Sequence, residues 1–214
     1  SWWLDQAGGR RHAAPMTAPP PLSERLREYA AQTVEYVRRA VGVALDFDSD
    51  TLPLLDHYLR NVPADQPATT RLIITTAAAY FGEVVVRRLG GRWETGDGDE
   101  LTWRLVLPTG VSFSPAGMVG SAIVRADAAD LDTGLDAPPK MRPYVEAALA
   151  RMSPVSTEEY YSLCGRLDTL EHVHEVLLTV AAELAGKAVP AADDGEDDGD
   201  GDAEPSAPAG PLVN

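Results

Sequence analysis

The sequence predicts an α+β domain in which helices pack on one face of a small antiparallel sheet. Three observations carry this. Apolar residues recur at spacings of three and four in several segments, the period of helices with one buried face. A single stretch, Leu101-Thr102-Trp103-Arg104-Leu105-Val106-Leu107, alternates as a strand does, and Pro108-Thr109-Gly110 turns it into Val111-Ser112-Phe113-Ser114. Runs of helix lie before and after this one hairpin, which argues against the strand–helix alternation of a parallel α/β sheet. A preceding strand around Trp93 extends the hairpin to a three-stranded meander.

The domain is expected over residues 22–187. Pro19-Pro20-Pro21 forms a stiff lead-in, and Ser23 is an N-cap candidate for a helix running to about Ala40. That helix carries Leu26, Tyr29, Ala30, Thr33, Val37 and Val41 on one face and Arg25, Arg27, Arg38 and Arg39 on the other; Gly42 ends it. Ser49 or Asp50 caps a short second helix holding Leu52, Leu55, Tyr58 and Leu59, with Pro53 in the first turn, where a missing N–H costs little. A third helix starts after Thr69 or Thr70 and stops at Gly90-Gly91. Gly96-Asp97-Gly98 is a turn, Pro115–Arg125 is short helix or irregular chain, and Asp127–Pro139 is a loop. A short helix follows from Pro143 to Met152. Ser156-Thr157-Glu158-Glu159 fits a capping box for one long helix with Leu163, Leu167, Leu170, His174, Leu177, Ala181 and Leu184 at helical spacing, closed by Gly186.

The flanks read differently. Residues 1–21 form a disordered lead, with Met16 the expected natural beginning. Residues 188–214 are mostly Asp, Gly, Pro and Ala, read as a disordered tail that buries too little to fold. Eight acids lie between Asp193 and Glu204 with no base among them, and setting them aside takes the formal net charge from −15 to −7. An acidic body repels nucleic acid and anionic lipid, so neither is expected as a partner. No apolar run reaches the roughly 18 residues that span a bilayer. Cys164 is the single cysteine, which excludes an intrachain disulfide and a cysteine-based zinc cage and fits a cytoplasmic location.

The candidate site lies in Thr69–Trp93, TTRLIITTAAAYFGEVVVRRLGGRW, where Glu83 is a lone carboxylate among core residues. A helix stacks Glu83 with Thr76, Ala79 and Arg87 beside the stripe Ile73, Ala77, Tyr80 and Val84. One reading makes it a general acid or base with a pKa raised by burial. The other makes it structural, accepting hydrogen bonds from Trp93 Nε1, Arg92, Arg87 or backbone N–H groups across the Gly-Gly turn.

Other chemistry is weaker. His172 and His174 are two apart, so a helix points them away from each other, and H-E-x-x-H is not matched; His174 is expected in the core and His172 in solvent. Asp46, Asp48 and Asp50 alternate like a calcium loop, but Thr51 and His57 stand where glycine and a bidentate glutamate are needed; helix capping explains them. Cys164 beside Gly165 is expected to be a buried, inert thiol. Ser121 does not sit in G-x-S-x-G, and Gly90-Gly91 and Gly96-x-Gly98 match no phosphate-binding loop. Trp93, Trp103 and Phe113 line a groove or, as aromatics on a hairpin more often do, form the sheet face packed on helices.

Two segments together carry a resemblance. LDFDSDTLPLLDHYLRNVP is similar to a Leu-Asp-x-Ser-x-x-Ser/Thr-Leu-x-x-Leu-Asp opening, and AAAYFGEVVVRRLGGRW to a Tyr-x-Gly-Glu … Gly-x-x-Trp element. Through Leu45, Asp46, Ser49, Leu52, Leu55, Asp56, Tyr80, Gly82, Glu83, Gly90, Gly91 and Trp93 the chain resembles bacterial domain-of-unknown-function families of the DUF3806-like type, over about residues 45–125. The resemblance implies a small intracellular α+β protein and no known activity. Relatives of this general look resemble antitoxin-like immunity proteins, which implies protein–protein binding.

The expectation is therefore a non-enzymatic protein-interaction or regulatory domain, immunity-like, with a protein partner and no cofactor or metal. The alternative is a small-molecule pocket or enzyme between the third helix and the hairpin, built from Glu83 and Tyr80 with Trp93 or Trp103 as walls. The motif to inspect is Tyr80, Gly82, Glu83, Gly90, Gly91, Trp93 and Trp103.

Overall fold

The computed structural model describes residues 22–187 except residues 64 and 97. The lead over 1–21 and the acidic tail over 188–214 lie outside the described residues. The first helix, α1, runs Leu22–Val41 and turns Ala30, Thr33 and Val37 inward, as its spacing predicts. Gly42 stops it with a φ of 83°, a conformation that costs a residue without Cβ little. One residue departs from the expected polar face. Arg25 reaches inward to pair with Glu100 and lies 5.1 Å over the Trp103 ring.

A 3-10 turn, Ser49–Thr51, leads into α2, Leu52–Arg60. Asp48 caps the turn, its side chain accepting from Asp50 N, while α2 itself starts after Thr51 with no side-chain cap, so neither Ser49 nor Asp50 caps it. Helix α3, Pro67–Leu89, starts earlier than expected because Pro67 fits the first helical turn. Gly90 and Gly91 end it with φ of 74° and 134°. A Cβ at Gly91 would stand 2.9 Å from Val106 O, so only glycine lets the chain pass that close to the neighbouring strand.

Strands β1 (Arg92–Glu94), β2 (Arg104–Val106) and β3 (Ser112–Phe113) form the expected antiparallel meander, with Trp93 opposite Leu105 and Leu105 opposite Phe113. The strand expected from Leu101 begins only at Arg104. Asp99 accepts from Leu101 N at 2.9 Å and winds Glu100–Thr102 into a 3-10 turn. A fourth strand, β4 (Leu135–Asp136), pairs antiparallel with β3 inside the segment expected to be loop. Two residues are too short to show alternation. Between them, Pro115–Val124 is a true helix, α4, capped by Ser114 and buried along most of its length.

Helix α5 covers Arg142–Arg151. The single long helix expected after Ser156 is two: α6, Thr157–Tyr161, and α7, Leu163–Lys187, parted at Ser162, which is extended (ψ 152°). Ser156 does cap α6, accepting from Glu159 N. The break is tertiary in origin. Gly165 packs so closely on the Glu159 carbonyl that a Cβ there would collide with it, and a carboxylate from α2 claims the first N–H groups of α7. The core lies where α1, α3, α4 and α7 meet the sheet, around Tyr80, Phe81, Leu105, Phe113, Leu163 and Leu170, all fully buried. Each large apolar side chain so enclosed stabilises the fold by about 1.5–3 kcal/mol. No described helix is long and apolar enough to cross a membrane.

Candidate functional site

The corner between α3 and β1 is a closed fitting. Tyr80 is fully buried, and its Oη accepts from Phe47 N at 2.9 Å and meets Thr51 Oγ1 at 3.3 Å. The Phe47 ring stacks on Tyr80 at 4.7 Å, and Arg87 covers it at 4.4 Å. Phe47 has a φ of 66°, a left-handed conformation that a bulky residue rarely holds, so Tyr80 pins a strained loop. Burial pushes the Tyr80 phenol above its usual pKa, so it stays protonated. Gly82 exists to receive Trp93: the indole lies flush on it, where any Cβ would collide. Trp93 meets Trp103 edge to face at 6.5 Å, and Phe113 packs against Phe81.

Glu83 is not the enclosed carboxylate its neighbours suggest. Its side chain is 37% exposed and pairs with Arg87, four residues on, at 3.2 Å. No hydrogen bond joins it to Trp93 or Arg92. Helix α3 is buried on nearly all sides, so apolar sequence neighbours do not define one inward face; Glu83 occupies the strip left open beside Arg87. None of the five cavities characterised in the fold is lined by Tyr80, Gly82, Glu83, Gly90, Gly91, Trp93 or Trp103.

The buried carboxylate is Asp56, on the inward face of α2 between Leu52 and Leu59. It is 4% exposed; Oδ1 accepts from Leu163 N at 2.7 Å and Oδ2 from Cys164 N at 3.2 Å. These are orphan donors at the start of α7, so Asp56 caps that helix across the fold, where the helix dipole also favours negative charge. The adjoining Cys164 thiol is pushed up to about 12, by burial first and by the Asp56 charge second. It is half-buried rather than fully buried, and it is protonated at neutral pH, which disfavours reaction as a nucleophile. His174 is buried, with Nδ1 3.3 Å from Thr109 Oγ1, and burial holds its pKa below the usual value. His172 is not free in solvent; its Nε2 reaches Ala148 O at 3.2 Å. Asp46 accepts from Asp48 N and Thr51 Oγ1, which holds its carboxyl below the usual range. No group of three or more metal-ligating side chains converges among the described residues.

The open part of the molecule is elsewhere. Two adjoining cavities, of about 300 and 610 Å³, lie between α5 and the α6–α7 corner and share Leu149, Tyr160 and Thr169 as a common wall. Arg166 lines the smaller one, with Arg142 and Glu146 at its edge. Arg166 is only 8% exposed, its guanidinium lies 4.4 Å over the Tyr160 ring and 5.4 Å over Tyr161, and its buried Nε has no hydrogen-bond partner. No carboxylate among the described residues lies within 4.0 Å of it. Arg142 is engaged, with Asp136 and Ala137 O. Another cavity, of about 700 Å³, lies between the start of α3 and the end of α4, and its charged residues Arg71, Asp127 and Asp130 are all exposed.

The fold and the cleft define a helix-rich α+β domain with one open, aromatic-walled recess around a buried cation. No family model, curated protein or solved structure matches the chain. Reading the sequence missed Arg166, although the signal was present: it stands three residues from Leu163 and four from Leu170, on the apolar stripe of α7.

Proposed function

We propose that this chain is a non-enzymatic protein-interaction domain that engages a partner segment in the cleft between α5 and the α6–α7 corner. One observation carries the reading. Tyr160, Leu149 and Val155 line the cleft and stay 49%, 39% and 49% exposed, a cluster of large side chains left without covering. Tyrosine at a partly wetted recess suits recognition, because the ring supplies rigid contact area at low entropic cost. The reading also fits the duties of the reactive groups: Asp56 caps a helix, Tyr80 pins a loop, Glu83 pairs with Arg87 and Cys164 is protonated. A binding role also agrees with the immunity-like look of some relatives that the resemblance to DUF3806-like families implies.

The test is site-specific photocrosslinking in cells, with a benzophenone amino acid replacing Tyr160 and, as a control, Leu178, which is equally exposed on the far part of α7. A discrete adduct at Tyr160 that is absent at Leu178, and that a pull-down at near-native salt also recovers, supports the reading. No adduct at Tyr160, or the same adducts at both positions, overturns it.

A further inference from the structure

We propose that the smaller cavity is a carboxylate-binding site, in which Arg166 receives the carboxylate end of a ligand whose apolar body lies across Tyr160 into the larger cavity. The inference rests on the cleft reading above and adds the chemistry the cleft selects. A buried guanidinium is costly unless it is paired and hydrogen-bonded. Among the described residues Arg166 meets the faces of Tyr160 and Tyr161, which attract a cation but are weak acceptors for its N–H groups. Its Nε is enclosed and unmatched, and the same side chain lines the smaller cavity, so the fold supplies no acceptor and leaves the cavity-facing part of the guanidinium to an outside one.

The surroundings narrow the acceptor. Arginine presents parallel N–H groups that fit a carboxylate or a phosphate. Arg142, the nearest other cation of the cavity, is already held by Asp136, and Glu146 adds a negative charge to the same lining. With two cations and two carboxylates in the smaller lining, and Glu159 and Asp168 in the larger, a doubly charged phosphate is repelled more than a singly charged carboxylate. The common wall of Leu149 and Tyr160 calls for an apolar or aromatic body attached to that charge, with room beyond it in the cavity of about 610 Å³. Two sources supply this chemistry: the C-terminal carboxylate of a peptide with an apolar last residue, or a free aryl or alkyl acid.

The test is titration of the full-length chain, uniformly labelled with nitrogen-15, followed at the Arg166 Nε–H resonance, which is assigned by its loss in Arg166→Met. The probes are hydrocinnamate, its amide, an acetylated Leu-Leu-Phe peptide with a free carboxylate, and the same peptide amidated. Both carboxylates are expected to shift the resonance saturably and both amides to leave it unmoved. Arg166→Met, whose binding is followed at the backbone amides of Leu149, Tyr160 and Thr169, is expected to bind the carboxylates at least about tenfold more weakly, the loss typical of a charge-assisted hydrogen bond. Its thermal midpoint should hold or rise, because an unpaired buried charge is gone. Glu146→Gln is expected to tighten binding by removing a repulsive charge.

No saturable shift with either carboxylate, or an equal shift with the amides, overturns the proposal. So does a fall of about 5 °C or more in both Arg166→Met and Glu146→Gln, which makes Arg166 and Glu146 an internal pair. Tighter binding of the peptide than of hydrocinnamate assigns the site to a chain terminus. Tighter binding of hydrocinnamate keeps the carboxylate site and defeats the protein-partner reading.

Discussion

Two corners of this domain treat buried polar chemistry in opposite ways. At the junction of α3 and β1, Tyr80 has partners for its hydroxyl and Gly82 is filled by an indole. At the junction of α6 and α7, Asp56 is equally complete, yet Arg166 is enclosed with a donor unmatched and open space beside it. The difference separates groups that hold the fold together from a group that the fold holds ready. A buried polar atom whose every bond is internal contributes to stability, whereas one left incomplete costs stability and is retained for something else.

The comparison is broken most directly at Asp56. Asp56→Ala is expected to destabilise the domain by about 3 kcal/mol, because it strands the Leu163 and Cys164 N–H groups inside the protein; chemical denaturation measures it. A loss below about 1 kcal/mol would show that α7 needs no cap from α2, and the completeness of that pair would mean little. Next comes Gly82→Ala, expected to cost about 2 kcal/mol by displacing Trp93, with a change in tryptophan fluorescence as the accompanying sign. Tyr80→Phe should cost about 1 kcal/mol, the value of a typical hydrogen bond, and should release Phe47 from its left-handed conformation. Faster amide exchange at Phe47 is the check.

The smallest effect is expected at Glu83. Glu83→Gln should change stability by at most about 0.5 kcal/mol, since its only partner among the described residues is a solvent-exposed arginine on the same helix. A larger loss would restore it to the closed corner. Cys164 offers a kinetic contrast. With its thiol pushed up to about 12, iodoacetamide at pH 8 should modify the native chain more than about a hundredfold more slowly than the unfolded chain.

Much of the fold was legible because local chemistry and tertiary packing agree there. Helix α1 keeps its predicted inward face, Gly90-Gly91 ends α3, and the turn at Pro108-Thr109-Gly110 closes the hairpin. Trp93 was rightly placed on a preceding strand. The site was less legible for a particular reason. Glu83 drew notice as a charge among apolar neighbours, but α3 runs through the middle of the fold, where neighbours in sequence say little about which strip stays wet. Asp56 and Arg166 lie at helical spacing from leucines that do face the core, Leu52 and Leu59 in one case and Leu163 and Leu170 in the other. The period that buries those leucines also buries the charges.

The sequence by itself determined the class of the domain, the order of its helices, the meander and the place of His174 in the core. Those follow from hydrophobic period, turn chemistry and capping, which act over a few residues. Only the tertiary structure decided where the chain between Ser156 and Lys187 breaks, which carboxylate is buried, and which cation is left without a partner. Each depends on groups far apart in sequence: Asp56 stands more than a hundred residues before the amides it caps, and the cavity beside Arg166 forms only when α5 and β4 close beside α7. Satisfaction of a polar group is a property of the space around it, and that space exists only once the chain has folded.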